Sequence, residues 1–323
     1  MPEKGSGGKR PLVCGLLAHV DAGKTTLSEG LMYCSGWRRT LGRVDHRDSL
    51  LDTHALERER GITIFSKQAL LETAARQVTL VDTPGHVDFS AEAERVMPVL
   101  DCAVLVISGT DGIQAHTVTL WRLLERYGVP VFLFINKMDL PGADRARLLA
   151  QLQDQFGSGC LDFSAPREEI AENAALCDEA LLESYLASGR VTDGNLRELI
   201  GHRRLFPCCF GSALKLEGVE ALLHLLDVYA PVREYGTAFA ARVYKISRDD
   251  SGARLTWLKV TGGTLRVRQT LRLTGPKGEI TEEKAQQLRL YSGDKFTAPE
   301  EILAGTLAAV TGLTGSVPAR ISS

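Results

Sequence analysis

The residues with the clearest chemistry run from Ala18 through His19, Val20, Asp21, Ala22, Gly23 and Lys24 to Thr25 and Thr26. An apolar run, Leu12 to Leu17, precedes them, and a helical pattern from Thr26 to Tyr33 follows. Strand, tight loop and helix in that order form the setting of a phosphate-binding loop. There the backbone N–H groups and the positive end of the helix dipole hold phosphate oxygens. Gly23 lets the backbone approach the ligand closely. Lys24 would reach the β/γ-phosphates, and the Thr25 hydroxyl would ligate Mg²⁺. Such loops begin with Gly, and here that position is Ala18.

Three later stretches complete the constellation. Asp82-Thr83-Pro84-Gly85 supplies a strand-end carboxylate to hold Mg²⁺ through water and a Gly whose N–H can meet the γ-phosphate. Arg60-Gly61-Ile62-Thr63-Ile64 lies between this stretch and the first loop, placing Thr63 as a further Mg²⁺ ligand when the polar segment Trp37–Arg60 closes. That segment is expected to be a mobile loop. Asn136-Lys137-Met138-Asp139 selects the base. Asp139 accepts the N1–H and exocyclic amine of guanine, whereas adenine would leave that carboxylate without donors, which argues against an ATP-using kinase. Asn136 either bonds the other purine edge or tethers the first loop, and the Lys137 stem covers the ring. In Gly211-Ser212-Ala213-Leu214, a backbone N–H can reach guanine O6. Together these motifs designate GTP.

The elements that must position them alternate. Apolar strands at Leu12–Leu17, Ala103–Ser108, Val131–Ile135 and Leu205–Gly211 are separated by helices near 24–34, 90–100, 114–127, 144–156 and 218–229. Segments 62–71 and 77–81 read as an antiparallel pair, and 163–200 as two or three small helices. Continuous apolar strands between helices indicate a mostly parallel sheet covered on both faces, with ligands at the strands' carboxyl ends. Every motif above falls at such an end. After Ala230-Pro231 helices largely vanish. Short strands at 239–246, 255–260, 264–267, 270–273, 286–291 and 306–310, with turn signals between them, predict a small β-barrel. The division expected is a disordered lead-in over 1–10, a GTP-binding domain over 11–230 and a β-barrel domain over 231–323.

At 323 residues with 44% hydrophobic content and a net charge of −2, the chain can bury a core but carries no bulk electrostatic sign of nucleic-acid binding. Seven scattered cysteines without a CxxC pair read as buried thiols in a reducing cytoplasm. No apolar run approaches the ~18 residues of a membrane span, so neither membrane nor DNA is an expected partner, and a monomer is expected.

The runs 18–25, 60–64, 82–89 and 136–139 resemble a translational GTPase. His86, after Asp82-Thr83-Pro84-Gly85, separates that group from Ras-like proteins, which carry Gln there. The resemblance implies that His86 orients the attacking water once the sarcin–ricin loop of ribosomal RNA positions it. It also implies a monovalent cation held by Asp21 near the β–γ bridge, loop capping by Asp21 being the alternative. Ser35-Gly36, Leu41-Gly42-Arg43-Val44-Asp45, Asp52, Leu56 to Gly61, Val99-Leu100-Asp101, Asp111-Gly112-Ile113-Gln114-Ala115 and Leu181 to Leu186 are similar to the tetracycline-resistance ribosomal protection proteins. Elongation factor G is similar at several of these positions but carries an extra subdomain between the counterparts of Asp139 and Ser212. Arg254 to Leu265 resembles the second, barrel domain that both groups share. Members of the protection family continue for three more domains, so this chain is expected to be an N-terminal portion. The activity implied is ribosome-stimulated hydrolysis of GTP in the release of tetracycline. The alternatives are translocation of the elongation factor G type and a regulatory switch without appreciable turnover.

Overall fold

A computed structural model describes residues 9–36, 67–83, 90–249, 251–274, 280–315 and 320–322. Strand β1 (Arg10–Ala18) lies near the middle of a seven-stranded sheet. With β2 (Lys67–Glu72), β3 (Arg76–Asp82), β4 (Cys102–Ser108), β5 (Val131–Asn136), β6 (Cys160–Asp162) and β7 (Phe206–Phe210), the order is β2-β3-β1-β4-β5-β7-β6. All pairs are parallel except β2 with β3.

The sheet is parallel because helices cover both of its faces, which also explains the unbroken apolar strands. Period-two alternation along β1 sends Leu12, Cys14, Leu16 and Ala18 into one core, and Val13 and Leu17 into the other. The first core is covered by α1 (Lys24–Cys34), α5 (Arg167–Ala175), α6 (Glu179–Ser188), α7 (Asp193–Gly201) and α8 (Val219–Tyr229). The second is covered by α2 (Ser90–Val96) with its following turn Met97–Val99, α3 (Ala115–Arg126) and α4 (Arg145–Phe156). Sequence signals set the helix ends. Asp144 caps α4 by accepting the Arg147 N–H, and Thr192 and Asn195 form a capping box on α7.

Beyond Ala230 the structure is almost entirely β. The strands are β8 (Ala240–Arg248), β9 (Arg254–Gly262), β10 (Thr264–Arg266), β11 (Thr270–Thr274), β12 (Ile280–Lys284), β13 (Gln287–Ser292), β14 (Lys295–Thr297), β15 (Glu301–Leu303), β16 (Leu307–Thr311) and β17 (Arg320–Ser322). Eight of them form an antiparallel sheet in the order β12-β11-β17-β8-β9-β16-β13-β14, and β10 pairs with β15. Both sheets surround one core that includes Val243, Leu258, Val260, Leu265, Leu271 and Leu288. The sequence reading did not anticipate β6, β12, β14, β15 and β17. Four of these are three residues long, and β12, Ile-Thr-Glu-Glu-Lys, lacks apolar alternation.

The barrel packs on the first sheet's second face, where Tyr244 and Leu307 enter the core built by α2, α3 and α4. All seven cysteines are free thiols, and five are buried. Burial pushes the Cys209 thiol up to about 12. Among the described residues no helix is long and apolar enough to cross a membrane.

Candidate nucleotide site

Strand β1 delivers the first loop. Ala18 takes the position usually held by Gly, and its methyl group is buried in the core, so the departure is absorbed by packing. Asp21 and Gly23 adopt φ of 60° and 89°, curling residues 19–23 back over the start of α1. Gly23 is the N-cap of α1, no side chain caps that end, and its first turn holds no acidic residue. The positive end of the helix dipole is therefore left for an anion. Thr25 and Thr26, half-buried, begin the helix, and the Thr25 carbonyl accepts the Ser28 hydroxyl at 2.7 Å.

Lys24 is buried and its ammonium pairs with the carboxylate of Asp82, which is fully buried at the end of β3. Neighbouring Thr83 turns inward, donating its hydroxyl to the Leu16 carbonyl at 2.9 Å. The two strand ends thus bring a cation, a carboxylate and a helix N-terminus together, a donor set that fits a phosphate chain with Mg²⁺. Lys24 would supply charge to phosphate oxygens, Thr25 a hydroxyl ligand, and Asp82 an anion to attract the hydrated cation.

Asn136, at the end of β5, is buried, with Nδ2 donating to the Ala22 carbonyl at 2.9 Å and Oδ1 accepting the Ala213 N–H at 2.8 Å. These two bonds make Asn136 a tether of the first loop, and the second hydrogen of Nδ2 leaves the purine-edge reading open. Lys137 follows with φ 63°, and the Met138 N–H donates to the Gly211 carbonyl at 3.0 Å. This joins the β5 and β7 ends. Asp139 is held by Ser212 and Lys215; the Ser212 hydroxyl, then the Lys215 ammonium 3.3 Å away, keeps its carboxyl below the usual carboxylate range. The donors fix the orientation of this carboxylate at the expected base site. Leu214 is exposed beside it.

Thr63, Pro84, Gly85, His86 and the segment Trp37–Arg60 lie outside the described residues. Two neighbours of the predicted site residues escaped the sequence reading. Lys215 is an unremarkable loop lysine until the β7 turn sets it on Asp139. His116 of α3 lies with its ring 6.0 Å from that of His19, a proximity that no local pattern signals.

Residues 9–232 match the family model of the elongation factor Tu GTP binding domain. The chain is 36% identical to tetracycline resistance protein TetW of Butyrivibrio fibrisolvens, over 83% of this chain and 45% of that protein. It is 34% identical to the oxytetracycline resistance protein of Streptomyces rimosus, over 93% of this chain and 50% of that protein. To elongation factor G 2 of Syntrophus aciditrophicus it is 30% identical, over 94% of this chain and 55% of that protein. A crystal structure of a Thermus thermophilus protein shares the fold with a TM-score of 0.85 at 24% identity, over 97% of this chain and 54% of that one. The chain spans about half the length of the curated relatives it matches.

Proposed function

We propose a function on one premise: this chain belongs to the elongation factor Tu GTP-binding domain family. It is a GTPase that binds GTP and hydrolyses it to GDP and phosphate. The observation that carries the reading is the Asn136 tether, which fixes the phosphate loop at Ala22 and the base loop at Ala213 through one side chain.

The N-terminus of α1 and Lys24 bind and orient the phosphates. Thr25, Thr63 and, through water, Asp82 would hold Mg²⁺, which supplies charge neutralisation on the β- and γ-oxygens. His86 orients the attacking water. The water oxygen bonds to the γ-phosphorus, the bond to the β–γ bridging oxygen breaks, and the water's proton passes to a phosphate oxygen. Asp139, with the Ser212–Leu214 loop, selects guanine. Asp21, exposed at the loop's crest, would hold a monovalent cation.

The two-domain division at about residue 230 is supported by strand membership, since among the described residues every strand up to Phe210 joins the first sheet and none from Ala240 on does. The relatives are named for tetracycline resistance and for elongation factor G, and the family resemblance supports the further proposal that the chain is the GTPase portion of a cytoplasmic monomer that acts on the ribosome, touching the sarcin–ricin loop, to release tetracycline. Similarity to elongation factor G keeps translocation as the second reading.

The test is GTP turnover with and without ribosomes, for the parent and His86→Ala, in the complete protein if this portion alone fails to bind ribosomes. Stimulation of the parent and its loss in His86→Ala are expected. A parent that ribosomes never stimulate would remove the translational reading, and ribosome-stimulated His86→Ala would remove the role of His86.

A further inference from the structure

The turn between β7 and α8 is closed on itself. The Ser212 N–H donates to the Glu217 carbonyl and the Glu217 N–H to the Ser212 carbonyl, both at 3.0 Å. Inside that ring the Lys215 N–H donates to the Ser212 carbonyl at 3.1 Å, and Leu216 turns the chain back with φ of 62°. Gly211 is pressed against the turn, since a Cβ there would stand 2.1 Å from the Glu217 carbonyl oxygen. Two bonds anchor the turn to the loop that follows β5. Asn136 Oδ1 accepts the Ala213 N–H at 2.8 Å, and the Gly211 carbonyl accepts the Met138 N–H at 3.0 Å. The Lys215 side chain is half exposed, yet it starts from a fixed backbone.

From that origin the Lys215 ammonium lies 3.3 Å from Asp139 Oδ2, on the neighbouring loop. The Asp139 side chain is only 12% exposed. Two adjacent edges of guanine are expected to meet here. Asp139 takes the N1–H and the exocyclic amine, and the stretch 211–214 takes O6, the atom next to N1 on the ring. Lys215 springs from the second loop and touches the carboxylate of the first, so its ammonium stands at the corner between them. Backbone donors alone serve O6 thinly. Of the N–H groups in that stretch, Gly211 donates to the Ile135 carbonyl at 2.9 Å, Ser212 to Glu217 and Ala213 to Asn136. Leu214 supplies the N–H that these bonds leave.

We infer that Lys215 is a specificity-determining residue for the base: its ammonium donates to the six-position oxygen of guanine while it stays paired with Asp139. This rests on the guanine reading proposed for the site. An ammonium carries three rotatable donors, so one can face the carboxylate and another the oxygen of the ring. Adenine places an amine at the six position, and a cation set against a donor disfavours it. The two loops then read different atoms. Asp139 reads the two-position amine together with N1, and Lys215 reads the oxygen beside them.

The test is calorimetry with GDP, 6-thio-GDP, inosine diphosphate and ADP. The proteins are the parent, Lys215→Met, Lys215→Arg and, as control, Arg266→Met, whose partner Glu301 lies in the β10–β15 pair of the barrel. 6-Thio-GDP keeps N1–H and the amine but offers sulfur, a poorer acceptor, in place of O6. Inosine diphosphate keeps the oxygen and lacks the amine. A hydrogen bond from a charged donor is stronger than a neutral one, so the preference for GDP over 6-thio-GDP should shrink about fivefold or more in Lys215→Met. The preference for GDP over inosine diphosphate should change much less, because Asp139 keeps the amine. Lys215→Arg should retain part of the six-position preference, and Arg266→Met should match the parent with every nucleotide. An unchanged ratio of GDP to 6-thio-GDP affinity in Lys215→Met overturns the inference. So does a larger change against inosine diphosphate than against 6-thio-GDP, which would make Lys215 a support for Asp139 alone. Should Lys215→Met fail to fold, Lys215→Ala decides by the same criteria. A parent that binds ADP as tightly as GDP would instead remove the guanine reading, and the inference with it.

Discussion

Asn136 Nδ2 donates a 2.9 Å hydrogen bond to the Ala22 carbonyl, which makes the side chain that ends β5 the brace of the loop that ends β1. The same amide accepts from Ala213 at 2.8 Å, and none of these groups is open to water. Asn136→Ala strands a buried carbonyl and a buried N–H, so stability should fall by about 1–3 kcal/mol. GDP affinity should fall with it, because both loops lose their common support. Urea unfolding and nucleotide titration of the two proteins check this; unchanged values for both would show that the brace is redundant.

Gly23 serves the same junction. Its φ is 89°, and a Cβ there would stand 2.2 Å from Asn136 Nδ2. Gly23→Ala therefore meets a left-handed backbone and a clash together, and it should destabilise by at least ~1 kcal/mol. The expected signature is a lower melting temperature with GDP affinity reduced more than in any variant of α7.

Ser212 and Lys215 hold the Asp139 carboxyl below the usual range, as donors to its oxygens do. Asp139→Asn replaces an acceptor pair with a donor and an acceptor. Guanine nucleotides should weaken by about 100-fold or more, since a polar site mismatched to its ligand rejects it strongly. Xanthine nucleotides should gain, the new amide donating to their C2 oxygen. Calorimetry with GDP, XDP and ADP reads the outcome, and equal ADP and GDP affinity in the parent would overturn the assignment of the base.

Asp249 closes the β8–β9 turn. It accepts from the Ser251 hydroxyl at 2.6 Å, the Ser251 and Ala253 N–H groups at 3.0 and 2.9 Å, and Arg289 at 2.9 Å. These donors, the Ser251 hydroxyl first and Arg289 second, bring its carboxyl down to about 2. A folded value below the unfolded one means the stabilisation is present in full above the ordinary value of 3.8 and is lost as pH falls toward 2. Asp249→Asn should thus be less stable than the parent at neutral pH, by a margin that stays constant down to pH about 4 and narrows below it. Chemical denaturation from pH 7 to pH 3 measures that margin.

Lys259 is buried in the contact between the two halves and bonded to buried Asp101, which also receives the Val13 N–H at 2.9 Å and Arg233 at 3.0 Å. Burial lowers the Lys259 pKa, and Asp101 offsets part of that. Removing one partner of such a pair costs about 3–5 kcal/mol. Lys259→Met should lie near the low end, ~3 kcal/mol, because Asp101 keeps Arg233 and the Val13 amide. Coincident unfolding of the two halves in the parent, separating into two transitions in Lys259→Met, would show that this contact carries their cooperativity.

What could be read from the sequence was whatever local physics determines. Apolar runs with helical patterns between them foretold β1, β4, β5 and β7 and the helices that cover them, because burial on both faces demands continuous hydrophobicity. The loop 18–25 and the stretch 136–139 announced phosphate and guanine chemistry through residue type and spacing alone. Turn signals after Ala230 announced a β-rich half. Short or polar strands such as β6 and β12 stayed hidden, since three residues hold no period and a solvent-facing edge needs no apolar alternation. Only the tertiary structure could show Asn136 as a tether, because that depends on how near Ala22 and Ala213 come to its amide. It alone set Lys215 against Asp139 and paired Lys24 with Asp82. Each of these joins residues distant in the chain, and hydrogen-bond reach between such residues is decided by packing, which no local pattern records.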